Sequence, residues 1–132
     1  FRAIDGLLRN ELAGVRIVVV DFHAEATSEK IVMGRYLDGR VSAVLGTHTH
    51  VQTSDETVLP GGTAYITDAG MTGPKDSALG RDLDAVRASL LTGMPARFLL
   101  ATGDVVLEGV VIDVDRQTGR AKSIRRIRES GE

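Results

Sequence analysis

Two apolar runs, each ending in histidine, decide the fold of this chain. The first reads Ile17-Val18-Val19-Val20-Asp21-Phe22-His23, and the second reads Val41-Ser42-Ala43-Val44-Leu45-Gly46-Thr47-His48-Thr49-His50. Continuous runs of β-branched and apolar residues are typical of strands buried on both faces. Between them, Thr27 and Ser28 can cap a helix that continues over residues 31–37. Strand, helix and strand within about 30 residues predict a βαβ unit with parallel strands and a right-handed crossover.

Weaker patterns predict a helix before this unit and a hairpin after it. Leu7, Leu8 and Leu12 indicate the end of an amphipathic helix that stops near Gly14. Residues 58–67 predict two short strands around a Pro-Gly-Gly turn.

The second half of the chain predicts a loop, a helix and a β meander. Residues 68–80 are rich in glycine and predict a loop, whereas residues 82–91 predict a helix. The strands of the meander are expected over residues 96–101, 105–115 and 121–127. The charged tail from residue 125 is expected to fray. The predicted fold class is therefore α/β, a βαβ unit followed by a β meander.

Composition excludes several classes of function. A net charge of -2 over 132 residues does not indicate the excess of positive charge that is typical of nucleic-acid-binding proteins. The chain has no cysteine, which excludes thiolate metal sites and fits a reducing compartment. No apolar stretch approaches the roughly 20 residues of a membrane span. We therefore expect a cytoplasmic protein with no membrane partner. Because the chain begins with Phe1, we also expect a fragment or a processed product.

The histidines predict a metal site at one edge of the sheet. On an extended backbone, His48 and His50 would point the same way, with Thr49 pointing oppositely. If the two strands are parallel neighbours, His23 emerges at the same edge, where open α/β sheets bind their ligands. Three imidazoles suit Zn, Fe, Mn or Co better than Ca or Mg. The spacing alone fits two ordinary polar loop residues equally well.

Other side chains are weaker candidates, each with a purely structural alternative. Three carboxylates could orient the imidazoles or could simply cap helices and meet solvent: Asp21, Glu25 and Asp68. Gly70-Met71-Thr72-Gly73-Pro74 could wrap a substrate or could be an ordinary turn. Three arginines could pair with phosphate or could be surface residues: Arg35, Arg40 and Arg81. The few Phe and Tyr residues display no aromatic clamp for a nucleotide base.

Longer motifs resemble one known family. The two that carry the resemblance are Asp21-Phe22-His23-Ala24-Glu25-Ala26-Thr27-Ser28-Glu29-Lys30 and Gly46-Thr47-His48-Thr49-His50-Val51-Gln52-Thr53. Shorter ones are Leu37-Asp38-Gly39-Arg40, Gly62-Thr63-Ala64-Tyr65-Ile66-Thr67-Asp68, Gly70-Met71-Thr72-Gly73-Pro74 and Gly109-Val110-Val111-Ile112-Asp113. Together they resemble the bacterial YmdB-like metallophosphoesterases, calcineurin-like enzymes that act as phosphodiesterases on 2′,3′-cyclic nucleotides. The resemblance runs to about Ile127.

The resemblance implies a dinuclear metal centre on a four-layer αββα sandwich. It implies that His23 and His48 bind one metal ion and that His50 binds the other, with Fe, Mn or Zn as the ions. The family's other ligands and its general acid histidine belong to motifs upstream, which this chain lacks. We therefore interpret residues 1–132 as the C-terminal part of a single metallophosphoesterase domain whose N-terminal half is absent.

Two further interpretations stay open from the sequence. The chain could be a non-catalytic metal-binding or assembly module, or a truncated fragment without activity. In each case we expect the isolated chain to be inactive, because three imidazoles cannot supply a bridging carboxylate. We also expect a homo-oligomer, since strands that have lost their neighbours invite self-association.

Overall fold

The βαβ unit forms the centre of the structure. The computed structural model describes residues 1–131. In chain order the elements are α1 (Arg2–Asn10), β1 (Val19–His23), α2 (Thr27–Tyr36), β2 (Ala43–Thr47), β3 (Thr57–Val58), β4 (Ala64–Ile66), β5 (Thr72–Pro74), α3 (Leu83–Thr92), β6 (Val105–Val114) and β7 (Ala121–Ser130). β1 and β2 pair in parallel, with Val19 opposite Ala43 and His23 opposite Thr47. The predicted parallel pair with a helical crossover is confirmed. The prediction that both strands are buried on both faces is wrong for β1, which lies at the edge of the sheet and alternates between exposed and half-buried residues, with Val19 54% exposed.

The strands form one mixed sheet and one antiparallel sheet. The first sheet has the order β1-β2-β4-β3, in which β4 is parallel to β2 and β3 is antiparallel to β4. The hairpin predicted around the Pro-Gly-Gly turn is β3 and β4. The second sheet has the order β5-β6-β7 and is antiparallel throughout. The α/β class is confirmed.

The first sheet is covered on both faces at β2 and β4. Helices α1 and α2 pack on one face, where the core includes Leu37, Val44 and Tyr65. The second sheet packs on the opposite face through small side chains, with Ala43 and Ala64 against Ala121 of β7. The described residues therefore build three successive layers of the expected sandwich: helices, sheet and sheet.

Two details of the predicted meander are wrong. Residues 96–101 form no strand, and only a single bridge joins Leu100 to Arg81. Phe98, Leu99 and Leu100 are exposed. Among the described residues, this apolar run therefore has no neighbouring strand or packed layer that would stabilise it as a strand. The edge position beside β6 is taken by β5, which lies inside the predicted loop of residues 68–80.

The predicted fraying of the tail is also wrong up to Ser130. β7 continues through residues 125–130, where each residue pairs with β6 as far as Val106 opposite Ser130. The backbone ladder sets the conformation here, because the charged side chains can point to solvent while the backbone groups bond to β6.

The helices offer no membrane span. Each of the three helices within residues 1–131 has at most ten residues. None of them is both long enough and apolar enough to cross a bilayer.

Candidate metal centre at the histidine edge of the first sheet

Two of the three histidines meet where β1 and β2 end. His23 is the last residue of β1, and His48 follows the last residue of β2. Nδ1 of His48 lies 3.2 Å from Nε2 of His23. The two rings stand edge to face, with centroids 5.1 Å apart. The prediction that parallel strands bring these imidazoles to one edge is confirmed.

A hydrogen-bond chain orients the His23 ring. Nδ1 of His23 lies 3.1 Å from the Thr47 hydroxyl, which donates to Oδ1 of Asp21 at 3.0 Å. The hydroxyl therefore accepts from Nδ1–H of His23. Nε2 is left with its lone pair, and it faces His48. A histidine whose second nitrogen donates to such a partner is the usual arrangement of a metal ligand, so these residues fit a transition-metal ion.

His50 does not join this pair. The expectation of an extended backbone is wrong, because φ is 140° at His48 and 62° at His50. β2 ends at Thr47, and the chain leaves the strand direction immediately after it. Within residues 1–131, no group of three or more His, Cys, Asp or Glu side chains is arranged to hold a metal ion. Positive φ at a non-glycine residue costs about 1–3 kcal/mol and persists only where the surrounding structure enforces it.

A buried ion pair lies directly beneath the histidines. Nζ of Lys30 in α2 is 3.2 Å from Oδ2 of Asp68, and both side chains are 0% exposed. Lys30 also donates to the carbonyl of Thr47 at 3.2 Å. Asp68 accepts from the backbone N–H of Thr49 at 2.8 Å and from that of Gly70 at 3.0 Å.

These partners keep the Asp68 carboxyl ionised. Burial by itself raises the pKa of Asp68, but the hydrogen bonds from Thr49 and Gly70 and the Lys30 ammonium outweigh it. The pKa of Asp68 therefore lies below its usual value. Of the predicted carboxylates, Asp21 and Asp68 support the histidine edge, whereas Glu25 is exposed.

Gly46 allows these elements to approach each other. A Cβ at Gly46 would lie 1.8 Å from the carbonyl oxygen of Thr67 and 2.7 Å from Cδ of Lys30. Any side chain would collide with the backbone after β4 and with the stem of the lysine. The glycine before the histidines is therefore required for this close approach of the backbone.

Two cavities open beside His50. One has a volume of about 300 Å³ and is lined by His50, Gln52, Met71, Lys75, Glu108 and Arg128, among others. Gly73 and Pro74 also line it, so the predicted substrate loop does reach the histidine edge. The other has a volume of about 340 Å³ and is mainly apolar, lined by His50, Ala78, Leu79, Arg81, Val86 and Phe98.

Of the three arginines proposed to pair with phosphate, only one lies near the histidines. Arg40 pairs with Asp5 of α1 at 2.6 Å, and Arg35 lines a separate cavity with Tyr65, so neither reaches the histidines. Arg81 reaches the His50 side, where its guanidinium lies 5.0 Å from the ring centroid of Phe98.

Sequence reasoning missed three residues of this region. Thr47 could have been found from the parallel register, since it lies opposite His23. Lys30 had no such signal, because a helical lysine is ordinarily a surface residue. Phe98 was assigned to a strand, and its position beside His50 depends on how the chain folds back after α3.

Comparisons with known proteins identify similar sequences and structures. The model of the YmdB-like protein family matches residues 1–127. The 2′,3′-cyclic-nucleotide 2′-phosphodiesterase of Bacillus subtilis is 53% identical over 127 residues, which cover 96% of this chain and 48% of that protein.

Two solved structures are also similar. A hypothetical protein from Thermus thermophilus superposes with a TM-score of 0.90 and 44% identity, over 99% of this chain and 50% of that chain. A novel phosphatase from Mycoplasma pneumoniae superposes with a TM-score of 0.89 and 34% identity, over 98% of this chain and 46% of that chain. The chain thus spans about half the length of the relatives it matches. Because the family model covers nearly all of the sequence, the chain belongs to the YmdB-like protein family.

Proposed function

We propose that the protein carrying this chain is a metal-dependent phosphodiesterase that hydrolyses 2′,3′-cyclic nucleotides at a dinuclear centre. The observation that carries the proposal is the facing pair of His23 and His48 at the joint ends of two parallel strands. The name of the Bacillus subtilis relative supports the substrate class. The phosphatase among the similar structures supports the reaction class.

Each histidine has a proposed role. His23 and His48 would hold one ion, and His50 would hold the second, with Fe, Mn or Zn as the metals. When bound, two such ions activate water as a nucleophile and stabilise charge on the phosphoryl oxygens. The remaining ligands and the general acid histidine would come from outside this chain, so we expect the chain alone to be inactive.

The substrate would bind on the His50 side of the edge. The cavity of about 300 Å³ lies within the size range of small-molecule sites. Lys75 lines it together with His50 and supplies positive charge for a phosphodiester, whereas Arg128 in the same cavity pairs with Glu108 at 3.5 Å. A cytoplasmic location and a homo-oligomeric state remain predictions from the sequence.

Removal of His48 tests the proposal. We expect His48→Ala in the full-length protein to lower turnover of a 2′,3′-cyclic nucleotide by about 100-fold or more, because a catalytic metal ion supplies several kcal/mol of transition-state stabilisation. Steady-state kinetics with Mn²⁺ would measure the loss. Ser123→Ala, on an exposed position of β7, is the matched control and should retain full activity. Wild-type turnover by a folded, metal-replete His48→Ala variant would refute the assignment.

One observation favours a second candidate function, that of a non-catalytic metal-binding or assembly module. Residues 1–131 bring together only His23 and His48, with no third ligand in place. If the full-length protein bound Mn²⁺ but hydrolysed no phosphodiester, this second function would replace the first.

A further inference from the structure

Lys30 of α2 and Asp68, which follows β4, form a completely buried ion pair. Both side chains are completely excluded from solvent, although α2 also offers apolar residues such as Met33 to the same sheet. Replacing a buried ion pair with well-packed apolar residues is often neutral or stabilising. A pair retained at such a cost therefore calls for a role other than stability.

The contacts of the pair point to that role. We define the histidine loop as residues 47–53. Lys30 binds its first carbonyl, at Thr47, and the Asp68 carboxylate binds the N–H of Thr49, which lies between the two histidines.

The backbone of Asp68 secures the far end of the loop. The Thr53 N–H donates to the carbonyl of Asp68 at 3.1 Å, and the Asp68 N–H donates to the Thr53 hydroxyl at 2.9 Å. The loop is therefore attached at its start, its middle and its end to one buried pair.

The same loop contains the unfavourable backbone conformations. His48 and His50 both have positive φ, and Thr49 is the residue between them. Because these conformations are costly, they need contacts that enforce them. The hydrogen bond from Thr49 to a charged, buried acceptor is a strong contact of this kind.

We propose that Lys30 and Asp68 are positioning residues that fix the backbone of the histidine loop and thereby the directions of His48 and His50. His48 is held against His23, while His50 is directed to the cavities on the other side of Thr49. This inference rests on the proposed function for its consequence, metal binding, but not for the attachment of the loop itself.

Three variants of the full-length protein test the proposal: Lys30→Met, Asp68→Leu and the double variant. Thr49 and Lys30 both bond Oδ2 of Asp68, and leucine offers no acceptor in its place, so Asp68→Leu removes the contact to Thr49. We expect faster hydrogen exchange of the Thr49 amide in the metal-free protein. We also expect Mn²⁺ affinity, measured by calorimetry, to fall by about 10- to 100-fold, as for other residues that orient metal ligands.

The double variant separates positioning from stability. It leaves no unpaired buried charge, so it should recover much of the thermal stability that either single variant loses. It should not recover the Thr49 protection or the Mn²⁺ affinity. It also keeps the test decisive if a single variant fails to fold.

Leu37→Ala is the matched control. Leu37 is fully buried at the end of α2, and it packs in the core cluster with Val44 and Tyr65 rather than in the histidine loop. Its truncation should lower stability while leaving the Thr49 protection and the Mn²⁺ affinity of the folded protein unchanged. Wild-type Thr49 protection in a folded variant of the pair, or lost protection with wild-type Mn²⁺ affinity, would overturn the proposal. If the wild-type protein bound none of Fe²⁺, Mn²⁺ and Zn²⁺, the proposed function would fail, while the exchange data would still decide whether the pair fixes the loop.

Discussion

Two regions of the molecule differ in how far their apolar residues are buried. One is α2 with the first sheet, which carries the histidine edge, and the other is the segment from Asp82 to Ala101. In the region of α2 and the first sheet, Leu37 and Val44 are completely buried, and so are the side chains of Lys30 and Asp68. In the α3 segment, defined as residues 82–101, no helical residue is buried, and Leu90 and Leu91 are 80% and 79% exposed. The candidate site is therefore built on the well-packed region, whereas the α3 segment presents apolar surface of the kind that usually marks an interaction site.

Helices α2 and α3 also differ in how their ends are capped. α3 has a complete set of local signals, with Asp82 accepting from the Ala85 N–H at 2.9 Å and Gly93 ending the helix in the left-handed region. α2 has no side-chain cap at Ala26, but it buries Lys30, Met33 and Gly34 against the first sheet. Local signals thus define α3, while tertiary packing defines α2.

Truncation of one leucine in each region should separate them most clearly. We expect Leu37→Ala to lower the free energy of unfolding by about 2–5 kcal/mol, because it leaves a cavity in the core. Leu90→Ala should change it by at most about 0.5 kcal/mol, since the side chain is already in solvent. Urea unfolding followed by circular dichroism would measure both. Equal losses would show that the α3 segment is packed against another surface in solution.

Acid should weaken the histidine edge through Asp68. The pKa of Asp68 is lowered in the folded protein because the hydrogen bonds from Thr49, Gly70 and Lys30 outweigh the effect of burial. Its contribution to stability is therefore fully present above the ordinary value of 3.8 and is lost as the pH falls through the lower folded value.

The titration of the Asp68 carboxyl carbon, followed by NMR, would check this expectation. Its midpoint should lie below 3.8 as long as the protein is folded. Unfolding measured in parallel should show stability decreasing over the same pH range. A midpoint above 3.8 would mean that burial outweighs the hydrogen bonds.

The smallest effect on stability is expected from a charge in the α3 segment. Leu91→Glu should leave the unfolding free energy within about 0.5 kcal/mol of wild type, because the site is exposed. If this surface mediates the predicted self-association, the variant should be more monomeric by light scattering. Ser123→Glu, on an exposed position of β7, is the control for added charge. An unchanged oligomeric state of Leu91→Glu would show that another surface, such as the outer face of β6, mediates the association.

The elements that the sequence predicted well are those whose signal is local. The β-branched runs before His23 and His48, and the capped helix after Asp82, carry their pattern within a few residues. The strand predicted over residues 96–101 failed because its apolar pattern lacked a neighbouring strand, which no local signal reveals. β7 extends through its charged tail for the converse reason, since β6 supplies the partner.

The site follows the same division. Parallel strands end at the same edge, so two apolar runs that end in histidine predict the meeting of His23 and His48. The separate direction of His50 was not predictable, because its φ of 62° depends on contacts of the whole loop. The position of Phe98 beside His50 was likewise not predictable, because it depends on the path of the chain after α3.

The sequence alone determined the two parallel strands and the edge at which their histidines emerge, because parallel neighbours align their carboxyl ends. It did not determine that β1 lies at the edge of the sheet and stays partly exposed. Only the tertiary structure decided which histidines meet and what holds them. Lys30 and Asp68 are 38 residues apart, and the fold brings them within 3.2 Å of each other while the N–H groups of Thr49 and Gly70 also bind the buried carboxylate.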